Sequence, residues 1–433
     1  MPPRPLTALL AVLLLAATTQ AETPRDWLKT NVAGLIEIYR DLHQHPELSL
    51  QEEKTAAQVA KLWKAAGAEV TTGVGGHGVV GIIKNGPGPM LMLRTDLDAL
   101  PVTEKTDLVY ASKVQVQRKD GTTVGVMHAC GHDIHMTNLI GVARYLASHK
   151  DQWSGTVMLV GQPAEELGGG AKMMLDAGLF KRFGKPDFAV ALHVDSTLET
   201  GQIGLRPGYM LANVDTVNVT MRGRGGHGAS PHTTIDPVVM AAHLVIDLQT
   251  LVSREMNPIE PAVITVGSIH GGTKHNIIAD NCELQLTVRS YTDKVRQHLL
   301  DGIKRKAKAV AAGAGASEPT ITIAEELTPA VYNDDKLVER IAPTLKKVLG
   351  EKNVLPGEPS MGGEDFSRYG LAGVPIVMFR LGSIEPKRMA GLKRGGQQPP
   401  SLHSAIFFPD AEETLSVGVT AMTAVALELL AKK

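Results

Sequence analysis

Short apolar runs alternate with amphipathic stretches along most of the chain. Trp27 to Leu42 spaces its apolar positions three and four apart and predicts a helix, ended by the proline of His43-Gln44-His45-Pro46-Glu47. Glu52 to Ala66 predicts a second helix, closed by Gly67. The runs Val79–Ile83, Met90–Leu93, Thr156–Val160, Phe188–Leu192 and Ile376–Phe379 have the length of buried strands. Helical stretches at His135–Ala147 and Ala171–Leu179 lie between them. This alternation predicts an α/β domain, a doubly wound and mostly parallel sheet with helices on both faces.

From about Met210 to Glu325 the period changes to two. Val217-Asn218-Val219-Thr220-Met221, Ala262–Val266 and Glu283–Val288 alternate, and Thr320–Glu325 adds a strand. Asp236–Val252 and Lys294–Ala311 read as helices. A four-stranded sheet with two helices describes a small α+β layer with one sheet face free. The first pattern resumes after Asn333, so the layer is an insertion. Residues 22–209 and 326–433 form the larger domain, and 210–325 the inserted one.

Length and charge narrow the picture. The 433 residues exceed what one core ordinarily organises, which agrees with two domains. A net charge of -1 leaves no basic excess to hold a phosphate backbone, so no nucleic-acid partner is expected. At the start, Arg4 precedes the apolar run Ala8–Ala17, and Thr19-Gln20-Ala21 offers small residues for cleavage. Residues 1–21 therefore read as a cleavable signal peptide, and the protein as exported, periplasmic or secreted. The alternative is a retained anchor. The run is about half the ~20 residues a spanning helix needs, so no stable membrane anchor is expected.

The candidate chemistry centres on His128-Ala129-Cys130-Gly131-His132-Asp133-Ile134-His135. A packed core gains nothing from that mixture, whereas a divalent metal gains soft and borderline ligands. The chain has 2 cysteines, Cys130 and Cys282, which could pair in an oxidising compartment, but Cys130 inside a histidine cluster reads as a metal thiolate. Other donors end apolar runs: Asp96 and Asp98, then Glu165-Glu166, then His193. Ligands of open α/β sheets gather beyond the carboxyl ends of strands. The expected ligand set is Cys130, His132, Glu166, His193 and His403. Asp133 is placed as a helix N-cap, and His128 and His135 as orienting or structural groups. Asp96 would orient a ligating imidazole, and Asp98 would cap a turn. Glu165 and Glu166 divide the labour, one ligating and one facing substrate as a base; the alternative is a solvated acidic pair at a helix start. In the insertion, the glycine-rich Gly223–His232 loop holds His227, and His275-Asn276 and Arg289 follow; the loop reads equally as a hairpin connection.

These segments together resemble the metal-dependent amidohydrolases that include aminoacylase, hippurate hydrolase, the auxin–amino acid conjugate hydrolases and related carboxypeptidases. The resemblance is carried by Arg94–Pro101, Met127–His135, Gln162–Glu166, Ala191-Leu192-His193, Gly226–His232, Gly362–Phe366 and Leu402-His403. It implies two divalent metal ions per subunit (zinc, manganese, cobalt or nickel) held by Cys130, His132, Glu166, His193 and His403, with Glu165 as general acid/base. It also implies that the inserted domain is a lid through which a homodimer forms. His227 would then stabilise the oxyanion in a neighbouring site, and Asn276 and Arg289 would hold the carboxylate of a small-molecule substrate. Thr95 departs from the usual alanine, and Ser404 from the small or acidic residues common after His403. The function expected is cleavage of the amide bond of N-acyl amino acids or similar conjugates. The alternatives are a metallo-dipeptidase or carboxypeptidase, and a non-catalytic metal- or solute-binding protein.

Overall fold

The computed structural model describes residues 22–118, 120–324 and 327–432, so the leader expected at 1–21 lies outside them. Its larger sheet has eight strands, in the spatial order Glu69–Thr72, Val79–Asn85, Gly155–Gln162, Met90–Asp96, Phe188–Glu199, Ile376–Ile384, Ile203–Leu205 and Val354–Pro356. The middle is parallel: Met90–Asp96 pairs in parallel with Gly155–Gln162 and with Phe188–Glu199, which pairs in parallel with Ile376–Ile384. Antiparallel partners flank that centre on both sides, so the sheet is mixed.

The central strands are apolar on both faces because both faces are covered. One core packs Leu91, Leu93, Val157 and Phe379 against the helices Pro24–Gln44, His132–Ser148 and Ala411–Leu429. The other packs Met92, Met158 and Met378 against Ala171, Phe366 and Tyr369. The first helix starts one turn before the Trp27 expected from periodicity. Thr23 accepts a hydrogen bond from the Asp26 N–H at 3.2 Å, and Pro24 fills a first-turn position where no amide is needed.

The insertion is an antiparallel four-stranded sheet ordered Ala262–Gly271, Asn281–Ser290, Asn213–Arg222 and Thr320–Ile323. Its strands alternate buried and accessible residues, and the helices Pro237–Thr250 and Asp293–Gly313 cover the apolar face. The two connections to the larger domain pair with each other, Gly208–Leu211 running antiparallel to Val331–Asn333.

Two sequence expectations change. The stretch Ala171–Leu179 is two short helices, Gly170–Asp176 and Leu179–Phe183, parted by Gly178 at φ 82°. The strand expected to end before His193 runs on to Glu199, so His193 is a mid-strand residue, two past the Arg94–Ala191 pair at which pairing with Met90–Asp96 ends.

Candidate metal centre

Gly131 arranges the first two donors. It adopts φ 81° ahead of the helix His132–Ser148, and a Cβ there would stand 2.5 Å from the Val194 side chain. The turn aims Cys130 and His132 at one point, where their ligand atoms and that of His193 lie within 4.8 Å of one another. His403 arrives through its backbone: its N–H donates to the Ala129 carbonyl at 2.9 Å, in a left-handed conformation at φ 66°. The Cys130 Sγ lies 3.3 Å from His403 Nε2 and 3.5 Å from His193 Nε2. Glu166 Oε1 lies 3.5 Å from His403 Nε2 and 3.8 Å from His132 Nε2. The five expected ligand side chains thus converge.

Their hydrogen bonding leaves the right atoms free. His132 Nδ1 donates to the Asp98 carbonyl at 2.8 Å, and His193 Nδ1 to the Val194 carbonyl at 2.8 Å. A carbonyl only accepts, so both rings carry hydrogen on Nδ1 and turn the Nε2 lone pair toward the cluster. His132 Nε2 and Glu166 Oε1 are buried with no hydrogen-bond partner among the described residues. Burial followed by like charge pushes Glu165 well above the usual carboxylate range, Glu364 and Glu166 being its neighbours. Burial lifts Glu166 to about 7, the negative charge of Asp98 adding to it against the offsetting effect of His132. Burial opposes charge on His132, but Asp96 and the Cys130 thiol more than offset this and hold it well above the ordinary imidazole value. Buried lone pairs in a negative environment are what a divalent cation requires, so the residues present fit a metal centre.

The chain then separates the two glutamates. Ala164, just before them, takes φ 50°, an uncommon conformation for a residue with a Cβ. Its N–H donates to Glu52 Oε1 at 2.8 Å, and the Glu166 N–H donates to Asp98 Oδ2 at 3.0 Å. Glu166 consequently joins Cys130 and His403, whereas Glu165 also faces Glu364 and Asp365. No helix begins at the pair, which lies in a turn before Gly170, so the solvated helix-start alternative is excluded for this segment. Above it opens a cleft of about 560 Å³, lined by Glu165, Glu166, His193, Arg289, Arg380 and His403 among others.

Other expected roles shift. Asp96 hydrogen-bonds His135 Nδ1 at 2.8 Å and Arg94 at 2.8 Å, and stands 3.7 Å from His132 Nε2, so the imidazole it orients is not one of the five. Asp98 orients His132 instead and bonds Ser49 at 2.6 Å rather than capping a turn. His135 is structural, its Nε2 accepting the Val194 N–H at 3.0 Å. His128 is buried, with neither ring nitrogen hydrogen-bonded among the described residues, and burial lowers its pKa to about 4. Asp133 is not the N-cap, since the helix begins at His132; it binds His43 Nδ1 at 2.7 Å instead.

Arg289 lines the cleft from the inserted domain, its Nη1 donating to the Met361 carbonyl at 2.8 Å. His227 and Asn276 do not line it. They lie exposed on a two-stranded ribbon, where the Gly228 N–H donates to the Asn276 carbonyl at 2.9 Å. The role of Glu52, the N-cap of the helix Glu53–Ala65 and one of two adjacent acids, has no distinguishing signal in the sequence. Arg94 and Glu364-Asp365 stand in the sequence only as parts of the stretches that carry the resemblance. In the fold they form a buried ion network, Arg94 donating to Asp96 and to Glu364, each at 2.8 Å.

Comparison with known proteins completes these observations. The profile of peptidase family M20/M25/M40 matches residues 92–428. An N-acetyldiaminopimelate deacetylase of Limosilactobacillus reuteri is 37% identical over 398 residues, covering 90% of this chain and 96% of its own. Thermostable carboxypeptidase 1 of Saccharolobus solfataricus is 36% identical over 398 residues, covering 91% and 95%. Among solved structures, the Bacillus subtilis YXEP protein, described as a dinuclear metal binding peptidase from the M20 family, superposes with a TM-score of 0.75 at 30% identity, covering 93% and 99%.

Proposed function

Starting from a chain that belongs to peptidase family M20/M25/M40, we propose an exported two-metal amidohydrolase that releases the acyl group from N-acyl amino acids or similar small conjugates. One observation carries this: Cys130, His132, Glu166, His193 and His403 converge, and Glu165 stands beside them, its carboxylate 3.9 Å from His132 Nε2 and also facing Glu364 and Asp365. The deacetylase and dinuclear-peptidase names among similar proteins support the reaction class and the metal pair.

Bound in that donor set, the divalent metals would supply Lewis acidity to the scissile carbonyl and lower the pKa of water. Glu165 accepts the proton of the attacking water and delivers it to the leaving amine nitrogen as the C–N bond breaks. Its burial keeps bulk water from competing for that proton. Glu52 and Asp98 hold the backbone on either side, so the acid/base and the ligand keep separate directions. Arg289 takes the substrate's α-carboxylate at the cleft wall. His227, with Asn276 on the same ribbon, lies outside its own cleft and would serve a second subunit's site, donating to the developing oxyanion. This requires the lid-mediated homodimer.

The test uses purified protein with a panel of hippurate, N-acetyl amino acids and dipeptides. Acylated amino acids are expected as the better substrates, with activity lost on chelation and restored by zinc, manganese or cobalt. Faster cleavage of dipeptides would favour the carboxypeptidase reading that one relative's name suggests. Metal binding with no hydrolysis of any member would favour a binding protein. Fractionation of producing cells tests export, with the processed chain expected outside the cytoplasm.

A further inference from the structure

One charged side chain in the cleft has no task in the reaction above. Arg380 lies on the strand Ile376–Ile384, in register with His193 on one neighbouring strand and with Gly204 on the other. Residues paired across adjacent strands project to the same face, so Arg380 stands beside His193, and Gly204 offers no side chain to fill the space. Arg380 is only 8% exposed. Yet among the described residues no hydrogen bond, ion pair or aromatic ring engages its guanidinium, and it lines the cleft. A guanidinium carries five N–H donors and does not shed its proton, so leaving it buried and unpaired is costly unless an anion arrives.

Its position relative to Arg289 adds to this. Arg380 helps hold His193 below the ordinary imidazole range, after burial and His135. Its charge, after that of Arg206, also opposes the effect of burial on Tyr291, next but one after Arg289. Arg380, in register with His193, and Arg289, from the inserted domain, line the same cleft. One Arg289 nitrogen is already committed to the Met361 carbonyl. What remains of its fork suits a single carboxylate. Glu165, Glu166 and Glu364 line the same cleft and would repel any further anion lacking its own cation.

We propose that Arg380 binds a second carboxylate of the substrate, so that the preferred substrates are N-acyl derivatives of dicarboxylic amino acids. Arg289 holds the α-carboxylate and Arg380 the side-chain one. The inference rests on the amidohydrolase reading. The test compares N-acetylglutamate with its neutral isostere N-acetylglutamine in metal-loaded wild type, Arg380→Met and Arg380→Lys. Wild type should favour the dianion at least about tenfold in kcat/KM. Arg380→Met should abolish that preference, a loss of about tenfold or more, mostly through KM, with Arg380→Lys between. Free glutamate, titrated calorimetrically against glutamine, should lose affinity by a similar factor in Arg380→Met, with metal content unchanged.

A wild type that takes the glutamine compound as readily would overturn the proposal, even if Arg380→Met does not fold. So would an equal loss on both substrates, or loss of metal from the variant. Should wild type hydrolyse no acylated amino acid, the amidohydrolase reading fails, and selective glutamate binding still decides the role of Arg380.

Discussion

Removing the Glu52 carboxylate should disable the active centre without unfolding the protein. Glu52 is fully buried at the N-cap of the helix Glu53–Ala65, and its Oε1 holds the Ala164 N–H at 2.8 Å. Ala164 is kept at φ 50° one residue before Glu165. A left-handed conformation costs an alanine roughly 1–2 kcal/mol, and a hydrogen bond to a carboxyl group returns about 1.5–3 kcal/mol. The two nearly balance, so the bond is what keeps the turn in place. In Glu52→Ala the bond goes and the backbone can relax to negative φ, turning Glu165 away from its working position. A misplacement of about 1 Å costs on the order of 100-fold, so kcat should fall about 10- to 100-fold while stability changes by roughly 1–2 kcal/mol. Glu52→Gln keeps an acceptor oxygen and should lose less than about tenfold. Ala164→Gly adopts the same φ without strain, so in the double variant it should recover much of the lost kcat. Steady-state kinetics, metal content and thermal melting together measure this. Full kcat in Glu52→Ala, or a loss that Ala164→Gly leaves untouched, would refute the reasoning.

Gly131→Ala sets a Cβ 2.5 Å from Val194 at φ 81°, so metal affinity should drop about 10- to 100-fold, as calorimetric titration of the metal-free protein would show; unchanged affinity contradicts the role given to this turn. His43 lies between Asp133 at 2.7 Å and Glu104 at 3.2 Å, and although burial opposes its charge the two carboxylates raise its pKa to about 9. The folded value exceeds the unfolded ~6.5, so its stabilisation is complete below about pH 6.5 and is lost as pH rises through 9. The shift corresponds to about 3 kcal/mol. Chemical denaturation at pH 6 and 9.5 should show that extra loss in wild type and not in His43→Leu. Glu165→Gln and His227→Ala should each be inactive, yet regain about a quarter of wild-type activity after mixing and subunit exchange. No recovery in demonstrably mixed dimers would place His227 outside a shared site.

Much of the fold was legible because strand and helix periods differ and punctuation is local. Val79, Met90, Thr156 and Phe188 each open a run too short for a helix, and the switch to alternation near Val217 marks the insertion. The overreach at Ala171–Leu179 has a local cause: the apolar pattern continues through Gly178, whose left-handed turn no periodicity registers. The donors were readable because cysteine and histidine at close spacing have few structural uses. What holds them was not. Asp96 and Asp98 are two apart, which a strand would set on one face, but the strand ends at Asp96, so which of them meets His132 depends on strand end and loop path. Glu52 meets Ala164 from far away in sequence, and Arg380 gains meaning only from its guanidinium having no partner among the described residues.

Anomalous diffraction from crystals of the zinc-loaded protein tests the central claim most directly. The account predicts a pair of peaks among Cys130, His132, Glu166, His193 and His403, with the Glu165 carboxylate left outside the coordination sphere. Peaks elsewhere, or Glu165 bound as a ligand, would contradict it.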